Sequence, residues 1–329
     1  MNFREIVQSL RQKASLGELS NMNFNPFISE KEGSDSPRNK LVEWTISPLH
    51  LSPCVNVVDY LTHLPMGEMA DSTEPWMLSL AEVSGVVVGG RAGSGKSVFL
   101  DGLLGHLVFH PHIEIGYIDM QGSLDNETWM NRLSAAPSGR ESTIELISML
   151  AAECKARVES MRDASVSNAW TTLGYLGADR PVKVLVIEET WFLFHAETRA
   201  MRDEVTRIQE DLRILMGLGG RAGYVVVMAT QQPNPVTLPP KMMATGMVRV
   251  AMQLFMKQSS AMAVLGEGFD PDIENLFQLS IVNKQRGAAI VSTSPGELQR
   301  VQCALIRGEI VNRMSLSEWS GNKWLDGDE

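Results

Sequence analysis

The sequence predicts an α/β fold: a doubly wound, mostly parallel sheet with a small N-terminal appendage. Three observations predict it. Short apolar runs recur from residue 84 onward, each of a length suited to a strand buried on both faces. Longer segments with apolar residues every three or four positions separate them, which is the helical period. Acids, glycines and amides gather where the apolar runs stop, as they do at the carboxyl ends of strands that line a ligand crevice.

Residues 1–40 read as a helix followed by a flexible linker. Phe3, Ile6, Val7 and Leu10 share one helical stripe within Phe3–Leu16, and Asn21–Lys40 is rich in Asn, Ser, Glu, Pro and Gly. Residues 41–83 read as a small β-rich entry segment, punctuated by Pro48, Pro53, Pro65 and Pro75. The main domain is expected over 84–313. Its first strand, Val86–Val88, runs into Gly89-Gly90, and a helix is expected over Ser97–Val108. Ile113–Asp119 reads as a strand ending in an acid. Thr143–Met161 reads as a helix, because Ile147, Leu150, Cys154, Val158 and Met161 fall on one face. Then follow a strand at Val182–Ile187, a helix at Thr198–Met216 and a strand at Tyr224–Met228. Further strands are expected at Val248–Phe255, Ala288–Ser292 and Val301–Leu305. Residues 314–329 form an acidic tail.

Composition narrows the function. A chain of 329 residues with 44% hydrophobic and 21% charged residues can bury a core without disulfides, which excludes wholesale disorder and a membrane-embedded body. The sequence shows no apolar run of about eighteen residues and no basic-then-apolar leader, so a cytoplasmic protein is expected. Cys54, Cys154 and Cys303 form no CxxC pair, which suits a reducing compartment. The net charge of −10 argues against a protein that coats nucleic acid with its whole surface but leaves room for a local basic loop. His106, His110 and His112 lack the acid or thiol that would complete a metal site.

The chemistry concentrates after the first strand. Gly90-Arg91-Ala92-Gly93-Ser94-Gly95-Lys96-Ser97 fits GxxxxGK[ST] at every fixed position, between a predicted strand and a predicted helix. Glycines let the backbone turn and aim its N–H groups inward as an anion nest, and the helix adds the positive end of its dipole. Lys96 is placed to meet the β- and γ-phosphates of a nucleoside triphosphate, and the Ser97 hydroxyl to ligate Mg²⁺. With this motif the expected fold class is a P-loop NTPase (RecA-like).

The strand Val182–Ile187 runs into Glu188-Glu189. Glu188 is the expected partner of the Mg²⁺ water shell, and Glu189 the residue that orients or deprotonates an attacking water. Glu188 stands where an aspartate is usual. Gln231, at the end of the strand from Tyr224, is placed to hydrogen-bond a γ-phosphate or that water.

Taken in order, these segments resemble the FtsK/SpoIIIE family of DNA-pumping ATPases, and most of all its TraB-like branch, which moves double-stranded plasmid DNA. The resemblance runs over about residues 64–306. Leu64-Pro65-Met66-Gly67 and Glu74–Leu80 are similar to the entry segment, although Gly89 stands where the family has alanine. Ile118-Asp119 and Ile187-Glu188-Glu189 are similar to its IDPK and IDE strand ends. Gly220-Arg221-Ala222-Gly223 with Ala229–Pro233 resembles RAxGI…ATQRP. Arg249–Gln253 and Gln285–Ala289 resemble the TRIAFQ and GRGDML strands.

The resemblance implies that Arg221 enters the ATP site of a neighbouring subunit in a homo-oligomer, a hexamer in the family. It implies that Lys257 and the position of Gln232 face double-stranded DNA. Gln232 replaces an arginine, and Ala261 stands where a second basic pore residue is expected, so a shallower salt dependence of DNA binding follows. The family's membrane-spanning region and winged-helix domain have no counterpart here, which implies a partner for membrane recruitment or site choice. Two other readings stay open: a secretion-type ATPase that moves protein, and an ATP-binding assembly subunit that does not hydrolyse.

Overall fold

The computed structural model describes residues 56–70, 72, 74–108, 110–121, 132–243, 246–254, 258–266, 286–294 and 297–304. The helix and linker expected over 1–40, the tail over 314–329, Cys54 and Lys257 lie outside them.

Among the described residues nine strands form one sheet: β1 (Leu64–Met69), β2 (Pro75–Leu78), β3 (Gly85–Gly89), β4 (Ile113–Asp119), β5 (Val182–Glu188), β6 (Tyr224–Thr230), β7 (Met247–Ala251), β8 (Ala288–Ser294) and β9 (Glu297–Cys303). Their spatial order is β2-β1-β9-β8-β7-β3-β6-β5-β4. The five strands from β7 to β4 pair in parallel, as their continuous apolar runs require. β8, β9, β1 and β2 extend one edge antiparallel. The proline-punctuated entry segment therefore shares the sheet of the main domain: Gly67, Glu68 and Met69 pair with Cys303, Gln302 and Val301.

Among the described residues six α-helices accompany the sheet: α1 (Val57–Thr62), α2 (Lys96–Leu107), α3 (Arg140–Asp163), α4 (Thr190–Phe194), α5 (Arg199–Gly217) and α6 (Gln258–Leu265). α2 buries Phe99, Leu100, Leu103, Leu104 and Leu107 around most of its circumference, so it is a core helix and shows no polar stripe. α5 is amphipathic. Val205, Ile208, Leu212 and Leu215 are buried, while Arg202, Asp203, Glu210 and Arg213 stay outside that row. Thr198 caps its start by accepting from Met201 N–H at 3.2 Å. α3 packs beside α5, with Arg140 Nε 3.1 Å from Glu204 Oε2 and Ser148 donating to Asp211 at 2.7 Å.

The expected strand Val248–Phe255 stops at Ala251. Beyond it the backbone serves the glycine loop instead of a neighbouring strand: Met252 N–H donates to Gly89 at 2.8 Å, and Gln253 carbonyl accepts from Arg91 N–H at 2.7 Å. Of the expected strand Val301–Leu305, Val301–Cys303 is the end of a longer strand, and Leu305 lies outside the described residues. The first half of that longer strand, Glu297–Arg300, is polar and half-exposed on the antiparallel edge, which hid it from an apolar-run reading. Cys154 and Cys303 are buried free thiols. Among the described residues no group of three or more His, Cys, Asp or Glu side chains is gathered as a metal site, and no helix is long and apolar enough to cross a membrane.

The seam between α1 and α2 contains a pH-sensitive group. His106 is buried, donates through Nε2 to Pro65 carbonyl at 2.8 Å, and its own carbonyl accepts from Tyr60 hydroxyl. Burial pushes the His106 pKa down to about 4, against the opposing pull of the Pro65 bond. Unfolded, the imidazole protonates near 6.5. Between those two values the unfolded chain binds more protons, so stability is full above pH 6.5 and falls as pH drops toward 4. The gap amounts to about 3 kcal/mol at most. Denaturant midpoints at pH 7.5 and pH 5 should show the loss. His106→Asn, which keeps a donor for Pro65 but does not titrate there, should show less of it. Equal pH dependence in both chains would assign the loss elsewhere.

Candidate active site

β3 delivers Gly90–Ser97 to the carboxyl edge of the parallel strands, and α2 begins at Lys96. The loop is pinned from several sides. Gly90 N–H donates to Thr230 carbonyl at 3.1 Å, Arg91 Nε donates to Gln253 Oε1, and Ser94 carbonyl accepts from Gly287 N–H at 2.9 Å. Two glycines are required by contact. A Cβ on Gly95, where φ is +113°, would stand 2.7 Å from Gly287 N. A Cβ on Gly89 would stand 2.2 Å from Val264 Cγ2 on α6, which accounts for glycine where alanine was expected. Ala92 and Gly93 are exposed at the loop's crest.

Lys96 is buried, and its ammonium donates to Gly90 carbonyl at 2.7 Å and to Arg91 carbonyl at 3.3 Å. Burial lowers its pKa, and the carboxylates of Glu189 and then Glu188 oppose that shift. The two acids therefore lie within electrostatic reach of the glycine loop.

They reach it across an intervening strand. β5 is not beside β3: β6 runs between them, pairing with both. The tip of β6 thus falls between lysine and acids. Thr230 hydroxyl donates to Glu189 Oε1 at 3.0 Å, and Gln231 N–H donates to Glu189 Oε2 at 2.9 Å. Both carboxylate oxygens are occupied and the side chain is buried. Its backbone is left-handed, φ 58° and ψ 71°, at the start of α4. A non-glycine residue there costs about 1–3 kcal/mol, a strain of the kind found at functional sites.

Glu188 is half-buried and divides its oxygens differently. Oε1 accepts from Ser97 hydroxyl at 3.3 Å, and Oε2 accepts from Tyr117 hydroxyl. Tyr117 comes from β4, whose register sets Asp119 opposite Glu188. Burial, then the neighbouring Glu188 charge, raises the Tyr117 pKa, so the phenol stays a donor. Tyr117, Thr230 and Gln253 were not foreseen from the sequence. The clue for Thr230 was its place beside Gln231 at a strand tip. Ser97 and Glu188 together present hard oxygen donors at the head of α2, a set that fits Mg²⁺.

Of the remaining expected residues only Gln231 adjoins the acids. Gln231 is half-buried beside Glu189, and Gln232 is exposed, its carbonyl accepting from Thr237 hydroxyl at 2.7 Å. Ala261 is fully buried in α6. That position faces the core, where a cation would displace packing, which gives a physical setting for alanine in place of the family's basic residue. Arg249 is half-buried and structural, donating to Val264 and Met243 carbonyls at 3.0 and 3.1 Å.

Arg221 sits in a 3₁₀ turn (Gly219–Arg221) just before β6, at the amino end of the strand whose carboxyl tip touches Glu189. Seven residues of strand separate the two, about 20 Å. Its side chain is exposed, and none of the described residues bonds to its guanidinium.

A family model described as FtsK/SpoIIIE family matches residues 59–268, well over half of the 329. The chain belongs to the FtsK/SpoIIIE family. No curated protein matches it. Among solved structures, this family member is similar to the pCW3 conjugation coupling protein TcpA in its monomer form with ATPγS. The identity is 14% and the TM-score 0.62, over 82% of this chain and 71% of TcpA. It is equally similar in fold to the cytoplasmic domain of the Thermomonospora curvata type VII secretion ATPase EccC. There the identity is 18% and the TM-score 0.62, over 86% of this chain and 35% of that one. EssC (ATPases 2 and 3) from Geobacillus thermodenitrificans is similar at 16% identity and TM-score 0.56, over 74% of this chain and 44% of EssC. This FtsK/SpoIIIE family member thus spans about a third of EccC. At these identities the likeness establishes the fold alone: the α/β fold of P-loop NTPases, with a mostly parallel central sheet.

Proposed function

We propose that the chain is an ATP-hydrolysing motor that moves double-stranded DNA as a ring, with each ATP site completed by Arg221 of the next subunit. One observation carries the reading: an exposed arginine, without a partner among the described residues, stands a full strand length from the phosphate loop of its own chain. It can stabilise phosphoryl charge only in another copy.

Within a site, Gly90–Ser97 would cradle the phosphates and Lys96 would turn from its loop carbonyls to the β- and γ-oxygens. Ser97 and Glu188 would hold Mg²⁺, which supplies charge neutralisation across those oxygens. Glu189, aimed by Thr230 and Gln231, would take a proton from water as its oxygen bonds the γ-phosphorus and the bond to the β-phosphate oxygen breaks. The Gln231 amide would hold the γ-phosphate or the water. Lys257 would touch the duplex backbone, with Gln232 a neutral neighbour. Phosphate contacts of this kind position DNA without reading its sequence.

The test is ATP turnover with and without duplex DNA, on native chain and on Lys96→Ala, with particle mass recorded in the same samples. Expected are a several-fold stimulation by DNA that fades as salt rises, a mass that is a multiple of the chain's, and an inert variant. Turnover indifferent to DNA at low salt would reject the DNA motor and favour the secretion-type reading, in which a protein is moved. Exposed, neutral Gln232 is the observation that favours that alternative.

A further inference from the structure

We infer that Trp170 is the positioning residue for Arg221, fixing the turn from which the guanidinium reaches a neighbouring subunit. The inference rests on the proposed donation of Arg221 between chains.

Five consecutive carbonyls around Arg221 are held. Gly219 carbonyl accepts from Ala222 N–H at 2.8 Å, and Gly220 carbonyl from Trp170 Nε1–H at 2.6 Å. Arg221 carbonyl accepts from Ala169 N–H at 2.8 Å, Ala222 carbonyl from Arg157 Nη1 at 3.2 Å, and Gly223 carbonyl from Lys183 N–H at 2.9 Å. The two bonds that embrace Arg221 itself therefore come from Ala169-Trp170. Gly220 is closely packed: a Cβ there would stand 3.3 Å from both Ser84 Cα and Val83 O.

Trp170 is anchored in turn. Asn168 Oδ1 accepts its backbone N–H at 2.9 Å, and Asn168 Nδ2 donates to Glu82 Oε1 at 3.1 Å. The indole is buried while Arg221 is exposed. Beside the arginine a cavity of about 350 Å³ opens, lined by Glu82, Ser84, Asn168 and Arg221 among others.

The physical case is one of division of freedom. An exposed arginine keeps its rotamer entropy, which it loses on docking a phosphate. If its backbone were loose as well, that further freedom would also be lost at each docking. A turn locked at five carbonyls confines the loss to the side chain and fixes the reach. Misplacement by about 1 Å can cost about 100-fold in rate.

The test uses the full chain with Trp170→Phe, which refills most of the buried slot but has no N–H for Gly220. Binding of a fluorescent ATP analogue and the melting temperature should stay close to native, while kcat falls about tenfold. Added excess Lys96→Ala chain should restore turnover per Trp170→Phe chain, because its neighbours then present a natively held Arg221. Arg221→Ala should be restored by the same partner, and a mixture of Trp170→Phe with Arg221→Ala should not recover. A native rate in Trp170→Phe would overturn the inference. So would a loss that Lys96→Ala does not restore although Arg221→Ala is restored, since Trp170 would then act inside its own chain. Failure to restore Arg221→Ala would instead strike the donated-arginine reading, and this inference with it. Asn168→Ala, which removes the Glu82 bond and the support of Trp170, should reproduce the pattern should Trp170→Phe fold poorly.

Discussion

Glu189→Gln is expected to lower ATP turnover by about 10²–10⁴-fold, the contribution of a positioned general base, and to leave nucleotide binding close to native. The local structure argues that the variant folds. An amide has the carboxylate's shape, so its oxygen can accept from Gln231 N–H. Its nitrogen can donate to Thr230, whose hydroxyl rotates to accept. The left-handed backbone at 189 is tolerated as before, since both side chains carry the same Cβ. What disappears is the proton acceptor, together with one negative charge near Lys96. Bound triphosphate brings its own negative charge to that lysine, so affinity should hold while chemistry stops. Single-turnover hydrolysis and binding of a fluorescent ATP analogue, measured on the same preparation, separate the two effects. Turnover within a few-fold of native would show that Glu189 merely closes the hydrogen-bond network at the tip of β6. Loss of turnover and affinity together would assign it to binding.

The legible part of this fold was the part written locally. An apolar triplet before glycines marked β3, and the motif marked the start of α2 to within a residue. The face shared by Ile147, Leu150, Cys154, Val158 and Met161 marked α3. Short helices escaped. α1, α4 and α6 span 6, 5 and 8 residues, too few to nucleate on propensity alone, and exist because neighbouring elements give them contacts. α6, for instance, sets Val264 against Gly89.

At the candidate site, residue types were legible and adjacency was not. GxxxxGKS, the acid pair and the strand-tip amide each announce a chemistry. No periodicity states that β6 lies between β3 and β5, yet that order brings Thr230 and Gln231 to Glu189. Tyr117 has no signature either. It meets Glu188 only through the parallel register of β4 on β5, where the glutamate's longer arm finds a donor. That bond gives a physical setting for glutamate in place of the usual aspartate.

Arg221→Ala is expected to cut kcat by about 10³-fold or more, the scale of an arginine supplied to phosphoryl transfer. The fold should not suffer, because the side chain is exposed and the turn is held through carbonyls that alanine also carries. Arg221→Lys should recover little, since a lysine lacks the planar fork that spans two phosphoryl oxygens. Geometry adds a stricter expectation. The strand length between Arg221 and the tip of β6 excludes service to its own phosphate loop. Native turnover per chain should then rise with protein concentration as subunits associate, by mass action. Arg221→Ala should stay slow at every concentration while sedimenting like native. An arginine acting within one chain would give native turnover independent of concentration, and that result would dissolve the ring. An arginine that serves only to hold subunits together would give a variant that is slow when dilute and recovers when concentrated. The concentration series therefore distinguishes catalysis across an interface from mere assembly.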